Sequence, residues 1–302
     1  MSTKKLLTGV LLLLVLLLTA CNSSGEDAQS STSSDKKEDS KDETIVFGET
    51  TWTSTLLPTQ ISKQILEKAG YKVETKQISQ PLIFKGLQNK EIDFFMDAWL
   101  PHTEAELWSK YKEDLQKVAT SYEDVPLGWV VPEYVEESTI KDLKGKASKF
   151  DERVVTIAAG AGIVEISKQV INDYGLENYE LIKSGEATMI ATLDDAIEKE
   201  EPIIITGWRP HSMFAKYDLK FLEDSKENFK KDNVYVLSYK GLEKDHPKAY
   251  KILSEWGIKV SELEEMMLKY EEDGTSFEKL AEQWINNHQE KVNNMLESAE
   301  ES

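Results

Sequence analysis

The chain has 302 residues, enough for one large domain or two of ordinary size. Its 36 basic and 55 acidic residues leave a formal charge of −19, which argues against nucleic acid, since phosphate contacts need a basic surface. The single cysteine, Cys21, excludes an intrachain disulfide.

Residues 1–21 read as an export leader. Lys4 and Lys5 precede a nearly unbroken apolar run from Leu6 to Leu18, too short for a membrane span of ~20 residues. Leu18-Thr19-Ala20-Cys21 then looks like a bacterial lipobox, implying cleavage before Cys21 and lipidation of its sulfur. An uncleaved anchor with an incidental cysteine is the alternative. Lipidation anchors a chain to the membrane without spanning it. Residues 22–43 are rich in Ser, Asp, Lys and Glu with no apolar residue larger than Ala, so they are expected to form a disordered tether.

From Thr44 the pattern is α/β. Thr44-Ile45-Val46-Phe47-Gly48 is a short strand with Trp52 just beyond it. Leu57, Ile61 and Ile65 then recur at helical spacing up to Gly70. Tyr71–Thr75 alternates as a strand, and Leu82–Leu87 is a short helix. A hydrophobic strand from Ile92 ends in Trp99-Leu100-Pro101, and Glu104–Tyr111 is helical. Trp129-Val130-Val131-Pro132 is taken as the crossing into a second lobe.

In that lobe Arg153–Ile157 is a strand, Ala159-Gly160-Ala161-Gly162 a turn, and Ile163, Ile166 and Val170 one face of a helix ending near Gly175. Small residues there allow close backbone approach, and a helix N-terminus offers free N–H groups to an anion. The same glycines could simply shape the turn, and no Gly-x-Gly-x-x-Gly is present. After a helix marked by Met189, Leu193 and Ala196, the strand Ile203–Thr206 runs into Gly207-Trp208-Arg209-Pro210-His211. The remainder carries the strand Val234–Leu237 and then helices, with Thr275 and Glu278 as a capping box and Trp256 and Trp284 as inner-face residues.

Trp52, Trp99 and Trp208 thus each stand at a strand's carboxyl end, where ligands bind in open α/β sheets. A lone tryptophan is as readily core; three in the same position point to one aromatic cage. No catalytic constellation accompanies them, and no pair of His or Cys has zinc-ligand spacing. No cofactor or metal is expected. His102 and His211 lie near two of the tryptophans, and Trp129 is either a fourth wall or core. An aromatic cage suits a quaternary ammonium, which donates no hydrogen bonds and is held by methyl packing and aromatic faces. Three such contacts supply roughly 2–6 kcal/mol against the ~8 that micromolar binding needs. The rest must come from anchoring the ligand's other end and from excluding water as lobes close.

These stretches, above all Ala98-Trp99-Leu100-Pro101, Ile157–Ile163 and Thr206–His211, resemble the substrate-binding proteins of glycine betaine, choline and carnitine ABC transporters. The resemblance covers nearly all of the chain from Thr44. It implies a bilobal, periplasmic-binding-protein-like (type II) α/β fold, with residues 44–129 plus 212–302 as lobe one and 130–211 as lobe two. It also implies a lipid-anchored monomer on the extracellular face, working with an ABC permease and its ATPase. By resemblance, Trp52, Trp99 and Trp208 surround the trimethylammonium, and the N–H groups of Gly162 and Ile163 hold the carboxylate.

Two departures stand out. Betaine-binding members carry a His where this chain has Glu104, with a His instead at His102. Choline-binding members carry a Glu there, but also an Asp where this chain has Ser54 and an Asn near Ala161. Glycine betaine therefore leads, with choline second and carnitine and proline betaine behind. An enzyme on the same scaffold, or an adhesin-like lipoprotein, are the competing classes.

Overall fold

A computed structural model describes residues 43–300. The expected leader 1–21 with Cys21, and the expected tether up to residue 42, lie outside the described residues. Ten strands form two five-stranded sheets. In chain order they are β1 (Thr44–Glu49), β2 (Lys72–Gln77), β3 (Phe94–Leu100), β4 (Leu115–Val125), β5 (Leu127–Pro132), β6 (Arg153–Thr156), β7 (Glu180–Lys183), β8 (Ile205–Trp208), β9 (Leu219–Phe221) and β10 (Asp232–Tyr239). Sheet one runs β2-β1-β3-β10-β4 and sheet two β7-β6-β8-β5-β9.

Each sheet has three parallel neighbours followed by two antiparallel pairings. The fold is a mixed α/β architecture of two lobes, one per sheet. Its helices are α1 (Thr53–Lys68), α2 (Gln80–Gln88), α3 (Ala105–Tyr111), α4 (Gly162–Tyr174), α5 (Glu186–Glu198), α6 (Met213–Lys216), α7 (Leu242–Asp245), α8 (Pro247–Ser254), α9 (Val260–Asp273), α10 (Phe277–Asn287) and α11 (Gln289–Glu297). The C-terminal helices return to lobe one, α8 against β4 and α10 against α1. Among the described residues no helix is long and apolar enough to cross a membrane.

Sheet membership moves the expected lobe boundaries. β5 starts at Leu127 and pairs with β8, Trp129 opposite Thr206, so the chain has already crossed before Trp129. β9 still belongs to sheet two through Val130 opposite Phe221, so the return falls between Phe221 and Asp232 rather than after His211. The reason is register: β5 needs a partner on each side, and β9 supplies the second.

β3 is central and buried along its whole length, which accounts for its nearly continuous apolar sequence. α4 ends where Gly175 takes a left-handed φ of 65°, a conformation costly for residues with a Cβ. α10 is capped by Ser276, whose side chain accepts from the Lys279 N–H, not by Thr275. Trp256 and Trp284 are buried as expected, their ring centroids 5.9 Å apart. One apolar cluster passes from lobe one through Trp99, Leu127, Ile163 and Trp208 into sheet two.

Candidate ligand-binding site

The carboxyl ends of β1, β3, β6 and β8 all open on the space between the lobes, and that space holds a small cavity of about 40 Å³. Lobe one contributes Trp52, Trp99, Ser54, Gln80, Thr103 and Glu104. Lobe two contributes Trp208, Leu127, Ile157, Ala161, Gly162 and Ile163. The three strand-end tryptophans and the Gly-Ile pair therefore line one cavity. Trp52 is half-buried and its carbonyl accepts the N–H groups of Thr55 and Leu56, each at 3.0 Å, which fixes it at the start of α1. Trp99 and Trp208 are buried.

Gly162 and Ile163 form the first turn of α4, whose leading N–H groups have no intrahelical acceptor. They sit at the positive end of the helix dipole, which suits an anionic group. Gly162 also lies against the opposite lobe. A Cβ built on it would stand 2.2 Å from the Thr103 carbonyl oxygen, so only glycine permits this approach.

Beneath the tryptophans lies an acid that sequence reasoning missed. Asp97, fully buried in β3, accepts from Ser54 Oγ at 2.9 Å, Thr55 Oγ1 at 2.7 Å and Trp99 Nε1 at 2.8 Å. It thereby ties the start of α1 to the Trp99 indole. Burial pushes the Asp97 carboxyl above its ordinary value, with the three donors opposing that shift and Glu186 adding to it. A charge-bearing residue inside an otherwise apolar strand was the signal available. Asp97→Ala would leave the Ser54 hydroxyl and the Trp99 indole N–H without this acceptor, Thr55 keeping Thr50 Oγ1 as a partner, and we expect a loss of about 3 kcal/mol in urea or thermal unfolding.

Glu104 lines the cavity beside Thr103 and is 2% exposed. Its Oε1 accepts from Gln80 Nε2, while Oε2 has no hydrogen-bond partner among the described residues. Burial, with the nearby charges of Asp97 and Asp232, holds its carboxyl well above the usual 4.5.

The other candidates fall elsewhere. His102 is exposed, and its backbone N–H donates to Asp232 Oδ1 at 2.7 Å. Trp129 is core, fully buried in lobe two with its Nε1 donating to Ser167 Oγ at 3.0 Å. His211 is fully buried behind Trp208, ring centroids 5.0 Å apart at 83°. Among the described residues no cluster of His, Cys, Asp or Glu is arranged to hold a metal ion.

Residues 43–287 match the family described as the substrate binding domain of ABC-type glycine betaine transport systems. The chain belongs to that family. Its members are substrate-binding proteins, not an enzyme family. A curated relative, the glycine betaine/carnitine transport binding protein GbuC of Listeria monocytogenes, is 38% identical over 152 residues, 49% of this chain and 50% of that protein. The match thus spans half the length of that relative. Among solved structures, lactococcal OpuAC, in a closed form complexed with glycine betaine, superposes with a TM-score of 0.80 at 30% identity. That alignment covers 84% of this chain and 100% of OpuAC. The glycine betaine/L-proline-binding protein ProX of Borrelia burgdorferi gives 0.80 at 30% identity, covering 83% and 95%.

Proposed function

We propose that this chain is the extracellular substrate-binding lipoprotein of an ABC importer, capturing glycine betaine or a related quaternary ammonium osmolyte as its lobes close. The observation that carries the reading is one interlobe cavity lined by three tryptophans and by the N-terminus of α4. A trimethylammonium group packs against the aromatic faces, and a carboxylate takes the N–H groups of Gly162 and Ile163. The formal charge of −19 attracts a net cation such as choline over long range, weakened by salt, and exerts no net pull on zwitterionic glycine betaine. The leader and Cys21 support a lipid anchor on the outer face of the cell membrane, and the family supports a permease and ATPase as partners. The protein acts as a monomer that hands its ligand over.

Glu104 decides between ligands. A neutral carboxyl donates a hydrogen bond from Oε2 and favours a ligand that brings an acceptor, such as the carboxylate of glycine betaine. An ionised one accepts a hydroxyl and favours choline, the second reading. With its carboxyl held above the usual range, the first state extends further up in pH. The sign follows: the proton is retained below the folded pKa and lost above it, so betaine affinity weakens as pH rises through that value.

Tryptophan fluorescence titrations with glycine betaine and with choline, from about pH 5 to about pH 9, test this. The expected result is saturable betaine binding that weakens with pH, and retention of binding without that pH dependence in Glu104→Gln. Saturation by choline alone moves the function to choline uptake, with Glu104 as the acceptor. Saturation by neither overturns the reading.

A further inference from the structure

One buried acid outside the cavity wall joins the two lobes. Glu186 opens α5 in lobe two and is 6% exposed. Its carboxylate accepts the Thr53 N–H at 3.1 Å and the Thr53 hydroxyl at 2.7 Å, both from the first residue of α1 in lobe one. His211 Nε2 stands 3.1 Å from the same Oε1 that takes the hydroxyl. The Met213 N–H donates to His211 Nδ1 at 3.1 Å. That nitrogen is therefore the acceptor, and the network assigns the ring hydrogen to Nε2, on the side of Glu186. The imidazole in turn stands edge-on to Trp208. An acid at the start of a helix is usually accounted for by the dipole of its own helix. Here the carboxylate accepts instead from Thr53 of the other lobe, while His211 Nε2 stands beside it without making a hydrogen bond among the described residues. Thr53 directly follows Trp52, so the contacts run Trp52–Thr53···Glu186···His211–Trp208, linking two cavity walls from opposite lobes.

We propose that Glu186 is a positioning residue that locks the lobes in their closed arrangement by accepting the N–H and hydroxyl of Thr53 across the cleft, on the side where His211 packs behind Trp208. The proposal rests on the reading of the cavity as a ligand site that closes. With the lobes apart, water satisfies the carboxylate. In a half-closed state the charge loses water without gaining Thr53, which is unfavourable. Full closure alone gives it the Thr53 N–H and hydroxyl together. Glu186 touches no cavity space, so its action is on how long the closed state lasts.

The test uses the full chain with Cys21→Ser, labelled for single-molecule energy transfer at Leu82→Cys in lobe one and Ile182→Cys in lobe two, both exposed positions. Closed-state dwell times are compared for the parent, Thr53→Val and Thr53→Ser, without ligand and with glycine betaine. Thr53→Val is expected to shorten the closed dwell about tenfold, the effect of one hydrogen bond to a charged group, with the closing rate unchanged. Thr53→Ser restores the dwell, and unliganded thermal stability stays at the parent value in both variants.

An unchanged dwell in Thr53→Val overturns the proposal. So does a shortened dwell that Thr53→Ser fails to restore, accompanied by a fall in unliganded stability, since that marks a purely structural role. If glycine betaine does not lengthen the parent's closed dwell, the betaine reading fails, while the ligand-free dwells still decide the role of Glu186.

Discussion

Gly162→Ala is expected to abolish high-affinity binding while leaving the unliganded fold at least as stable as before. The two effects separate because Gly162 belongs to two environments. Within α4 it is the first helical residue, where alanine is accommodated at least as well as glycine, the interior preference for alanine being up to about 1 kcal/mol. Across the cleft, the added Cβ would meet the Thr103 carbonyl oxygen at 2.2 Å and Thr103 Cγ2 at 2.7 Å. The nearest of these is backbone, so it cannot swing aside as a flexible side chain would. Closure must stop short by roughly an ångström, and a misplacement of that size can cost about a hundredfold where groups must converge. Calorimetric titration with glycine betaine and unliganded thermal unfolding measure the two effects separately. Parent-like affinity in the variant would mean that the Gly162–Thr103 approach is not part of the bound state.

This result depends on a contact that no sequence pattern announces. The strands that carry the site were legible because they are interior to their sheets and mostly apolar, with Trp52 just past β1 and Trp99 and Trp208 at the carboxyl ends of β3 and β8. Apart from β2, read from Tyr71–Thr75, the edge strands were not. β7 is mostly exposed and β4 mixes exposed and buried positions without strict alternation, so neither shows the period of two that marks a half-buried strand. The return expected after His211 came too early for the same reason, because the short β9 that completes sheet two has only half-buried residues. Trp129 itself carries no mark in the sequence that separates core from cage; its partner Ser167 is 38 residues away.

The cavity shows the same division between local and distant information. Tryptophans at strand ends and small residues at a helix start are local patterns. What holds them is not: Asp97 meets Ser54 and Thr55 more than 40 residues away, and Glu186 meets Thr53 across 133. Asp97 at least stands out as an acid within an apolar strand. Glu186 does not, since an acid in a helix's first turn needs no special account. The buried orphan oxygen of Glu104 is likewise visible only once Gln80 is seen to occupy the other oxygen.

Trp99→Ala and Trp208→Ala are both expected to weaken glycine betaine binding by well over tenfold, but with different consequences for the empty protein. On the proposed reading each removes a cation–π contact of roughly 0.5–2 kcal/mol and leaves a gap in the cavity wall. Trp208→Ala also takes away the ring that His211 stands against, which is a packing loss with no hydrogen bond attached to the indole among the described residues. Trp99→Ala removes an indole N–H that donates to a fully buried carboxylate. Asp97 then keeps Ser54 and Thr55 but loses a donor, and burial already disfavours its charge. A further loss of about 1–3 kcal/mol in unliganded stability is therefore expected for this variant beyond the packing term.

The pH dependence has a definite sign. Folded Asp97 holds its proton above the usual 3.8, and losing a donor raises that affinity further. The extra destabilisation of Trp99→Ala should therefore be smallest in acid and grow as pH rises through Asp97's folded pKa. Affinity by calorimetry and unfolding followed against pH resolve the two contributions. Parent-like affinity in both variants would remove the tryptophans from the site. A Trp99→Ala stability loss independent of pH would detach Asp97 from the indole.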